Sequence, residues 1–279
     1  MGRKTGEAIR LQWGLDWRVL RGALLNGADG ATIRSMGETS QTTEAMRAHL
    51  AAVVPCYNAG GRVRAVVQGL EEFLDRVYVV DDGCTDGSAQ SVDDLGATVL
   101  TFPENRGKGF AILEGFKTAL EERSVEAVAI LDADGQHDPR ELPRLYSVFT
   151  EQKADLLIGA RTFQRGETPW ASWFGNSLTA FLTRQLLRQA IPDTQSGYRI
   201  HSRRFIEDVL ETIPGGRYET EMAILLKAAR EDYRLVSEPI QTIYEAGNRS
   251  SHFNKLRDSY RIYRTFFRLA LKRTQRPPN

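Results

Sequence analysis

The sequence predicts an α/β fold, and two observations carry this prediction. Between residues 50 and 160, short runs of aliphatic and β-branched residues alternate with longer segments of helical periodicity. Such alternation is typical of βαβ units, in which successive strands lie parallel and a helix forms each crossover. Several of these runs also end abruptly in polar residues, and open α/β sheets bind their ligands at the carboxyl ends of the strands.

The predicted elements follow in order along the chain. Five strands are expected at 50–55, 76–81, 97–102, 126–131 and 155–159, and helices at 60–74, 85–94, 108–121 and 139–151. Pro139 suits a first helical turn, where its missing N–H is not needed. The second half is more mixed, with helices expected at 173–189, 202–211, 218–230 and 255–274 and short strands near 197–201 and 233–243.

Composition limits the class of protein. The chain has 279 residues, 41% hydrophobic and 26% charged, which is enough for a sizeable core in one large or two small domains. A net charge of +1 gives no global field that would attract nucleic acid, so no nucleic-acid partner is expected. Two cysteines cannot build a disulfide scaffold, and four histidines without a paired spacing predict no zinc site.

Hydropathy predicts no membrane-spanning helix. No window approaches the roughly twenty apolar residues that such a helix requires, and the N-terminus lacks the apolar core of a signal peptide. With the reduced thiols that are the default in the cytosol, these features predict a cytoplasmic protein whose membrane contact, if any, is peripheral.

Paired carboxylates after the fourth predicted strand are the most informative residues. Asp132 and Asp134 follow the aliphatic run at 127–131 and, being two apart in an extended segment, face the same side. Two carboxylates this close repel each other unless a cation lies between them. A hard divalent cation that also holds a substrate diphosphate would meet that requirement. An exposed acidic turn is the alternative.

Two other strand ends are polar as well. Asp81 ends the second run, where its carboxylate suits hydrogen bonds from a nucleobase, and Asp86 and Ser88 are expected to cap the helix that follows. The first run ends in Pro-Cys-Tyr-Asn at 55–58, where Tyr57 is placed either beside a base or over the sheet edge.

The segment Asn105–Gly109 bears on the type of nucleotide site. Two glycines and two cations open a predicted helix there, and such a helix N-terminus suits an anion. The spacing is not that of a P-loop, and no G-x-G-x-x-G follows the first strand, which disfavours a dinucleotide-binding fold. A sugar-1-phosphate nucleotidyltransferase is disfavoured too, because it would require a Gly-rich loop where residues 55–58 stand.

Together these segments resemble glycosyltransferase family 2. The motifs, over about residues 48–260, are P-C-Y-N at 55–58, V-V-D-D-G-C-T-D-G-S at 79–88, N-R-G-K-G at 105–109, L-D-A-D-G-Q-H-D-P at 131–139, I-G-A-R at 158–161, D-T-Q-S-G-Y-R at 193–199 and Y-E-T-E-M at 218–222. The last three are similar to the polyprenyl-phosphate sugar synthases, the dolichol-phosphate mannose and glucose synthase branch. The resemblance implies a GT-A-type, Rossmann-like mixed sheet flanked by helices.

The resemblance also implies an activity. It is the metal-dependent, inverting transfer of a hexose from a nucleotide sugar, of the GDP-mannose or UDP-glucose type, to a polyprenyl phosphate, with Mg²⁺ or Mn²⁺ as cofactor. One alternative is a glycosyltransferase acting on a saccharide or other hydroxyl acceptor in cell-envelope polysaccharide synthesis. Another is a catalytically inactive sugar-nucleotide-binding protein, against which the intact pair Asp132 and Asp134 argues.

Site residues follow from the same resemblance. The residues implied to bind the nucleotide sugar are Pro55, Tyr57, Asn58, Asp81, Lys108, Asp132, Ala133 and Arg249. The implied metal ligands are Asp132, Asp134 and Gln136; the implied catalytic residues are Asp134, Asp193 and Arg161; the implied acceptor residues are Arg161 and Asn176. Arg161 would contact the lipid phosphate, Asp193 would lie close to the transferred sugar, and Arg249 would close on the diphosphate from a loop.

Three further residues have expected structural roles, and one region departs from the family pattern. His137 is expected to be a turn residue, and one of Glu219 and Glu221 is expected to satisfy a buried backbone group or an arginine. Relatives carry an arginine a few residues before the position of Asn176, where this chain has Trp170, Ser172 and Trp173 instead.

Three regions are expected along the chain. Residues 1–47 form an extension, either poorly ordered or a packing or membrane-apposed helix, and residues 48–252 form the glycosyltransferase domain. Residues 253–279 carry eight cations and one acid up to residue 276, with aromatic and aliphatic residues at helical spacing. Such a basic amphipathic helix either lies on the cytoplasmic face of a membrane or docks on the domain.

Overall fold

The computed structural model describes residues 42–161, 191, 193–241 and 264 of the chain. The first 41 residues, the expected helix at 173–189 and nearly all of the expected helix at 255–274 lie outside the described residues. So do two candidate site residues, Asn176 and Arg249.

Seven strands and six α-helices make up the described part of the chain. In chain order they are α1 (42–49), β1 (Leu50–Cys56), α2 (Arg62–Glu71), β2 (Val77–Asp81), β3 (Thr98–Thr101), α3 (Lys108–Glu121), β4 (Ala127–Ile130), α4 (Leu142–Glu151), β5 (Leu156–Arg161), β6 (Arg199–Ser202), α5 (Arg203–Thr212), α6 (Tyr218–Arg230) and β7 (Leu235–Ile240). Each predicted strand is present, and the helices predicted at 108–121 and 218–230 have the predicted ends.

The helix expected at 85–94 is wrong. Only Ala89–Val92 form a short 3₁₀ turn, and the Ser88 side chain makes no capping hydrogen bond to it. Asp86 instead accepts hydrogen bonds from the Ser88 N–H at 3.0 Å and from the Gly60 N–H at 2.9 Å. Short polar side chains that bond to nearby backbone compete with helix formation, and here they fold the segment into a turn.

The sheet is mixed, in the order β3-β2-β1-β4-β6-β5-β7. Strands β1 to β4 pair parallel and β5 pairs parallel with β7, while β6 runs antiparallel between β4 and β5. The chain moves from β1 outward to β3 and then returns to place β4 on the other side of β1. Strand order therefore reverses between β1 and β4, and the crevice beyond their carboxyl ends is where such sheets bind ligands.

Both faces of the sheet are covered, which explains the continuous apolar runs. All seven residues of β1 are buried, alternately toward one apolar layer that includes α2 and α4 and a second that includes α3, α5 and α6. Helix α3 crosses β1 closely because residue 115 is glycine. A Cβ there would lie 2.4 Å from a methyl carbon of Val53, so a larger side chain would push the helix off the sheet.

Two histidines are buried inside this framework. His201 on β6 is 0% exposed, and its ring lies 5.0 Å from that of Phe116 and 6.2 Å from that of Phe205. His137, beyond β4, is 4% exposed and lies 5.6 Å from the Tyr198 ring. Burial lowers the pKa of His201 to about 3 and that of His137 to about 4, so both rings are neutral near pH 7.

Acid is therefore expected to destabilise the fold through these rings. Below the ordinary histidine pKa of about 6.5 the unfolded chain binds protons that the folded chain cannot bind, so the stabilisation present above pH 6.5 is lost as pH falls. Each ring contributes up to ~1.4 kcal/mol per pH unit. Urea unfolding between pH 7.5 and 5 measures the slope. His201→Leu should reduce it, and equal slopes in the wild-type protein and this variant would contradict the prediction.

Candidate active site

A cleft of about 550 Å³ opens beyond the carboxyl ends of β1, β2 and β4. Its lining comprises Pro55, Cys56, Tyr57, Asn58, Ala59, Arg62, Asp82, Asn105, Gly107, Lys108, Ala111, Asp132, Ala133, Asp134, Arg217 and Tyr218. Seven of these residues were expected from the sequence to bind the donor or the metal. The crevice at the reversal of strand order is thus the place where the predicted site residues come together.

The loop after β1 is locked to the turn after β2. Asn58 adopts a left-handed backbone conformation with φ 48°, which asparagine tolerates better than most residues. Its side-chain oxygen accepts a hydrogen bond from the Thr85 N–H at 2.8 Å, and its own N–H donates to the Cys84 sulfur at 3.4 Å. Tyr57 and Asn58 therefore lie on a fixed wall of the cleft.

Two neighbouring carboxylates at the end of β2 have different surroundings. Asp81 is 3% exposed and accepts a hydrogen bond from the Cys84 N–H at 2.7 Å, which closes the turn. Asp82 lines the cleft and accepts hydrogen bonds from the Arg106 N–H at 2.7 Å, the Gly107 N–H at 2.9 Å and the Asn105 amide at 2.9 Å. Burial raises the pKa of Asp82 in spite of these bonds.

Sequence reasoning selected Asp81 and missed Asp82 as a cleft residue. Consecutive residues at a strand end face opposite sides, so one carboxylate of the pair had to face away from the other. The alternation of β2 carried this signal. Which of the two carboxylates faces the cleft depends on where α3 packs, and the local sequence pattern does not determine that packing.

Lys108 joins the cleft carboxylates. Its ammonium nitrogen lies 2.7 Å from Asp132 Oδ1 and 2.9 Å from Glu221 Oε2. Burial alone would lower the pKa of Lys108, but the charges of Asp132 and then Glu221 outweigh it and raise the pKa. One of Glu219 and Glu221 was expected to satisfy a buried backbone group or an arginine, and the Glu221 side chain pairs with a lysine. The Glu221 carbonyl oxygen does accept a hydrogen bond from Arg199, at 3.0 Å.

The pKa values of the two carboxylates after β4 are shifted in opposite directions. Burial would raise the pKa of Asp132, but Lys108 holds it below the ordinary value. Burial and then the negative charge of Asp132 raise the pKa of Asp134. The Asp134 carboxylate accepts one hydrogen bond, at 3.0 Å, from the Gln136 N–H. A cation beside Asp134 would remove the repulsion that raises its pKa, so the residues fit a divalent ion.

The ligands available to such an ion are few. In the described part of the chain, no group of three or more His, Cys, Asp and Glu side chains is arranged to hold a metal. Asp132 and Asp134 line the cleft, whereas Gln136, the third expected ligand, is not among the lining residues. Few protein ligands completed by oxygens of the substrate are typical of Mg²⁺ sites.

Gly197 lies directly behind Asp132. A Cβ on this residue would be 2.1 Å from Asp132 Oδ2 and 2.4 Å from the carboxyl carbon. The carboxylate therefore occupies space that a side chain at position 197 would fill. The motif at 193–199 contributes to the site by leaving this space open.

Arg161 and Asp193 form a fork at the edge of the sheet. The Arg161 side chain donates from Nε to Asp193 Oδ2 at 2.7 Å and from Nη2 to Oδ1 at 3.1 Å, and Asp193 is 0% exposed. Burial would raise the pKa of Asp193, but the guanidinium holds it below the ordinary value. Asp193 therefore orients Arg161 and does not present a free carboxylate to the cleft.

The two cysteines meet beside the cleft. Cys56 and Cys84 are 28 positions apart, and their sulfur atoms lie 3.8 Å apart. The hydrogen bond between them, with burial, raises the pKa of Cys56, and the same bond lowers the pKa of Cys84. They meet because β1 and β2 are parallel neighbours, so the residues at their carboxyl ends lie close together.

Within residues 42–161 and 193–241, no helix is both long enough and apolar enough to cross a membrane.

Comparison with known proteins identifies the class of this chain. The profile of Glycosyl transferase family 2 matches residues 51–210, which is more than half of the 279 residues. The chain belongs to glycosyltransferase family 2, and it is a glycosyltransferase.

Curated relatives with polyprenyl-phosphate names extend this result. Polyprenol monophosphomannose synthase of Mycolicibacterium smegmatis is 28% identical over 77% of this chain and 80% of that protein. UDP-N-acetylglucosamine–dolichyl-phosphate N-acetylglucosaminyltransferase of Methanococcus voltae is 26% identical over 69% and 84%. Undecaprenyl-phosphate mannosyltransferase of Micrococcus luteus is 29% identical over 67% and 81%. The chain is therefore similar to transferases that place different sugars on polyprenyl phosphates.

A solved structure confirms the expected fold. Glucosyl-3-phosphoglycerate synthase of Mycobacterium tuberculosis, in complex with Mn²⁺, UDP-glucose and phosphoglyceric acid, matches with a TM-score of 0.65 over 83% of each chain. Sequence identity is 18%, so the likeness establishes the GT-A fold alone.

Filling the space behind Asp132 is expected to impair the enzyme. Gly197→Ala would place a methyl group inside the Asp132 carboxylate and turn it away from Lys108, and misplaced polar groups in active sites typically cost about 100-fold in rate. Gly61→Ala is the matched control, because a Cβ there meets nothing within 4 Å. Glycosyl transfer and the melting temperature should be measured together. Full activity of a folded Gly197→Ala enzyme would contradict the prediction.

Proposed function

We propose that this protein transfers a hexose from a nucleotide sugar to a polyprenyl phosphate, by a metal-dependent single displacement that inverts the anomeric carbon. The observation that carries the proposal is the pair Asp132 and Asp134 at the end of β4, in a cleft where Lys108 already fixes one of the two carboxylates. Support for the acceptor class comes from relatives named as polyprenyl-phosphate and dolichyl-phosphate transferases.

Asp132 and Asp134, with Gln136, would hold Mg²⁺ or Mn²⁺. When bound, such an ion neutralises the charge that develops on a departing nucleoside diphosphate. Lys108 prepares this arrangement because its ion pair keeps Asp132 ionised and in place. Asp134 has a single backbone hydrogen bond, so its remaining lone pairs are free to bind a cation or a cation-bound water.

The donor would bind along the loops after β1 and β4. Pro55, Tyr57, Asn58 and Ala133 line the cleft, and the locked turn after β2 supports Tyr57 and Asn58. In this proposal Tyr57 packs beside the base. Asp81 contributes to base binding indirectly, because its hydrogen bond closes the turn that supports the base site. Arg249, beyond the described residues, would contribute from the polar loop at 247–252.

The acceptor phosphate would be recognised from the side of β5. Arg161 presents a planar guanidinium whose geometry suits two phosphate oxygens, and its two hydrogen bonds to Asp193 fix its orientation. A phosphate monoester is already a nucleophile at neutral pH, so no strong general base is needed. A buried Asp193 that is committed to Arg161 is consistent with such an acceptor. Asn176, outside the described residues, would bind on the same side.

Residues 253–279 would supply the contact with the bilayer in which a polyprenyl phosphate resides. Their sequence combines eight cations with aromatic residues at helical spacing, which suits an anionic lipid surface. The proposed organisation is a catalytic domain at 48–252, a preceding extension, and this basic segment at the cytoplasmic face of the membrane.

The acceptor is tested by a transfer assay with matched acceptors. The purified full-length protein is given Mn²⁺ and each of GDP-mannose, UDP-glucose and UDP-N-acetylglucosamine, with either undecaprenyl phosphate in anionic vesicles or a soluble saccharide. We expect one donor to transfer its sugar to the lipid phosphate and the product to have the inverted anomeric configuration. Ready transfer to the saccharide, with none to the lipid, would replace this acceptor by the hydroxyl-acceptor alternative.

Removal of one carboxylate tests the metal. Asp134→Asn should abolish Mn²⁺-dependent nucleotide binding and transfer, while the melting temperature should stay level or rise because repulsion from Asp132 is relieved. Asp93→Asn, at an exposed acid on the 3₁₀ turn after β2, is the control and should behave as wild type. Calorimetric titration of UDP or GDP with and without EDTA measures the effect. Undiminished turnover in EDTA would exclude the metal role.

A further inference from the structure

The charges that line the cleft include a cation, Arg217, with no acidic partner among the described residues. Three cations (Arg62, Lys108 and Arg217) and three carboxylates line it, so the wall itself carries no net charge. Lys108 is neutralised by two carboxylates at 2.7 and 2.9 Å. A nucleoside diphosphate or a lipid phosphate would bring further negative charge into this space. A cation with no carboxylate beside it would attract that charge most strongly.

Arg217 is not neutralised in this way by any described residue. It is exposed, and no described carboxylate lies within 4.0 Å of its guanidinium. Its positive charge nonetheless acts on the cleft, since it opposes the rise that burial causes in the pKa of Asp82. The residue immediately precedes α6, and its φ of −101° and ψ of −131° are not helical.

A glycine holds this side chain in place. A Cβ on Gly107 would lie 2.6 Å from Arg217 Cγ and 2.9 Å from the Gly216 carbonyl oxygen, so the arginine stem rests directly on the Gly107 backbone. Gly109, two residues later, allows α3 to approach the start of α6 in the same way, because its Cβ would meet Thr220 at 2.2 Å. An arginine on an open surface would lack this packing contact. Here the packing fixes the first part of the arginine side chain beside the cleft.

We propose that Arg217 binds a phosphoryl group of a reactant in the cleft. The guanidinium is charged at all relevant pH values and offers a planar set of donors that matches two phosphate oxygens. Unlike Arg161, which is held by Asp193, and Lys108, which is held by Asp132 and Glu221, it has its full charge available. This inference rests on the proposed function, since it assumes that phosphorylated reactants enter the cleft.

The phosphoryl group has two sources, the nucleoside diphosphate of the donor and the phosphate of the acceptor. Arg217→Gln removes the charge, and Arg217→Lys keeps a point charge without the fork. Arg123→Gln, at an exposed position after α3, is the matched control. Because Arg217 is exposed and the change leaves its stem on Gly107, the melting temperature of Arg217→Gln should stay within about 2 °C of wild type.

Calorimetry with UDP and GDP in the presence of Mn²⁺, and KM values for the sugar nucleotide and for undecaprenyl phosphate, separate the two sources. We expect Arg217→Gln to raise one of these constants by about 10- to 100-fold, with an intermediate value for Arg217→Lys. A raised Kd for UDP or GDP assigns the diphosphate, and a raised KM for the lipid phosphate alone assigns the acceptor. The difference from wild type should shrink at high salt.

Failure of this inference is distinct from failure of the proposed function. If Arg217→Gln and Arg123→Gln both match wild type in every constant, Arg217 is a solvated surface residue and the inference is overturned. If wild-type protein itself binds neither nucleotide and transfers nothing to the lipid phosphate, the proposed function falls, and this inference falls with it.

Discussion

Lys108 lies between two carboxylates that reach it from distant parts of the chain. Asp132 follows β4, Lys108 begins α3, and Glu221 is in the first turn of α6, 113 positions after the lysine. Removal of either carboxylate would leave a buried cation poorly paired, which is strongly destabilising. The two ion pairs therefore hold the three elements together at the cleft. The same contact depends on two glycines. Gly109 allows α6 to approach α3, and Gly197 leaves room for Asp132.

Arginines organise the other side of the cleft, where regular structure is sparse. Arg199 is 2% exposed and donates its hydrogen bonds to the carbonyl oxygens of Ser196, Thr194 and Glu221. Buried backbone carbonyls in a loop lack the partners that a helix or sheet supplies, and this guanidinium satisfies two of them while its third bond joins the loop to α6. The segment from Asp193 to Gly197 is thereby fixed without secondary structure, and it carries both the partner of Arg161 and the space behind Asp132.

Periodicity and strand-end polarity predicted the strands and the end of the sheet where the cleft lies, and the family resemblance implied the mixed sheet and the individual site residues. Each aliphatic run became a strand because both faces of the sheet are buried, and Pro55, Tyr57, Asn58, Lys108, Asp132 and Asp134 lie on the cleft as expected. The helix predicted at 85–94 was wrong because Asp86 and Ser88 bond locally. Asp82, Arg62 and Arg217 were missed because their places depend on how α2, α3 and α6 pack on the sheet, and tertiary packing leaves no local pattern.

Strand β6 enters the sheet antiparallel, between β4 and β5, so β5 ends and β6 begins at the same edge. Arg161 and Asp193, 32 positions apart, are joined by an ion pair at that edge. The segment between these two residues therefore begins and ends at the same ion pair. The entropic cost of lengthening a closed segment grows only slowly with its length. The register of β5 against β6 is therefore expected to depend on the strand hydrogen bonds and this ion pair more than on the length of the segment between them.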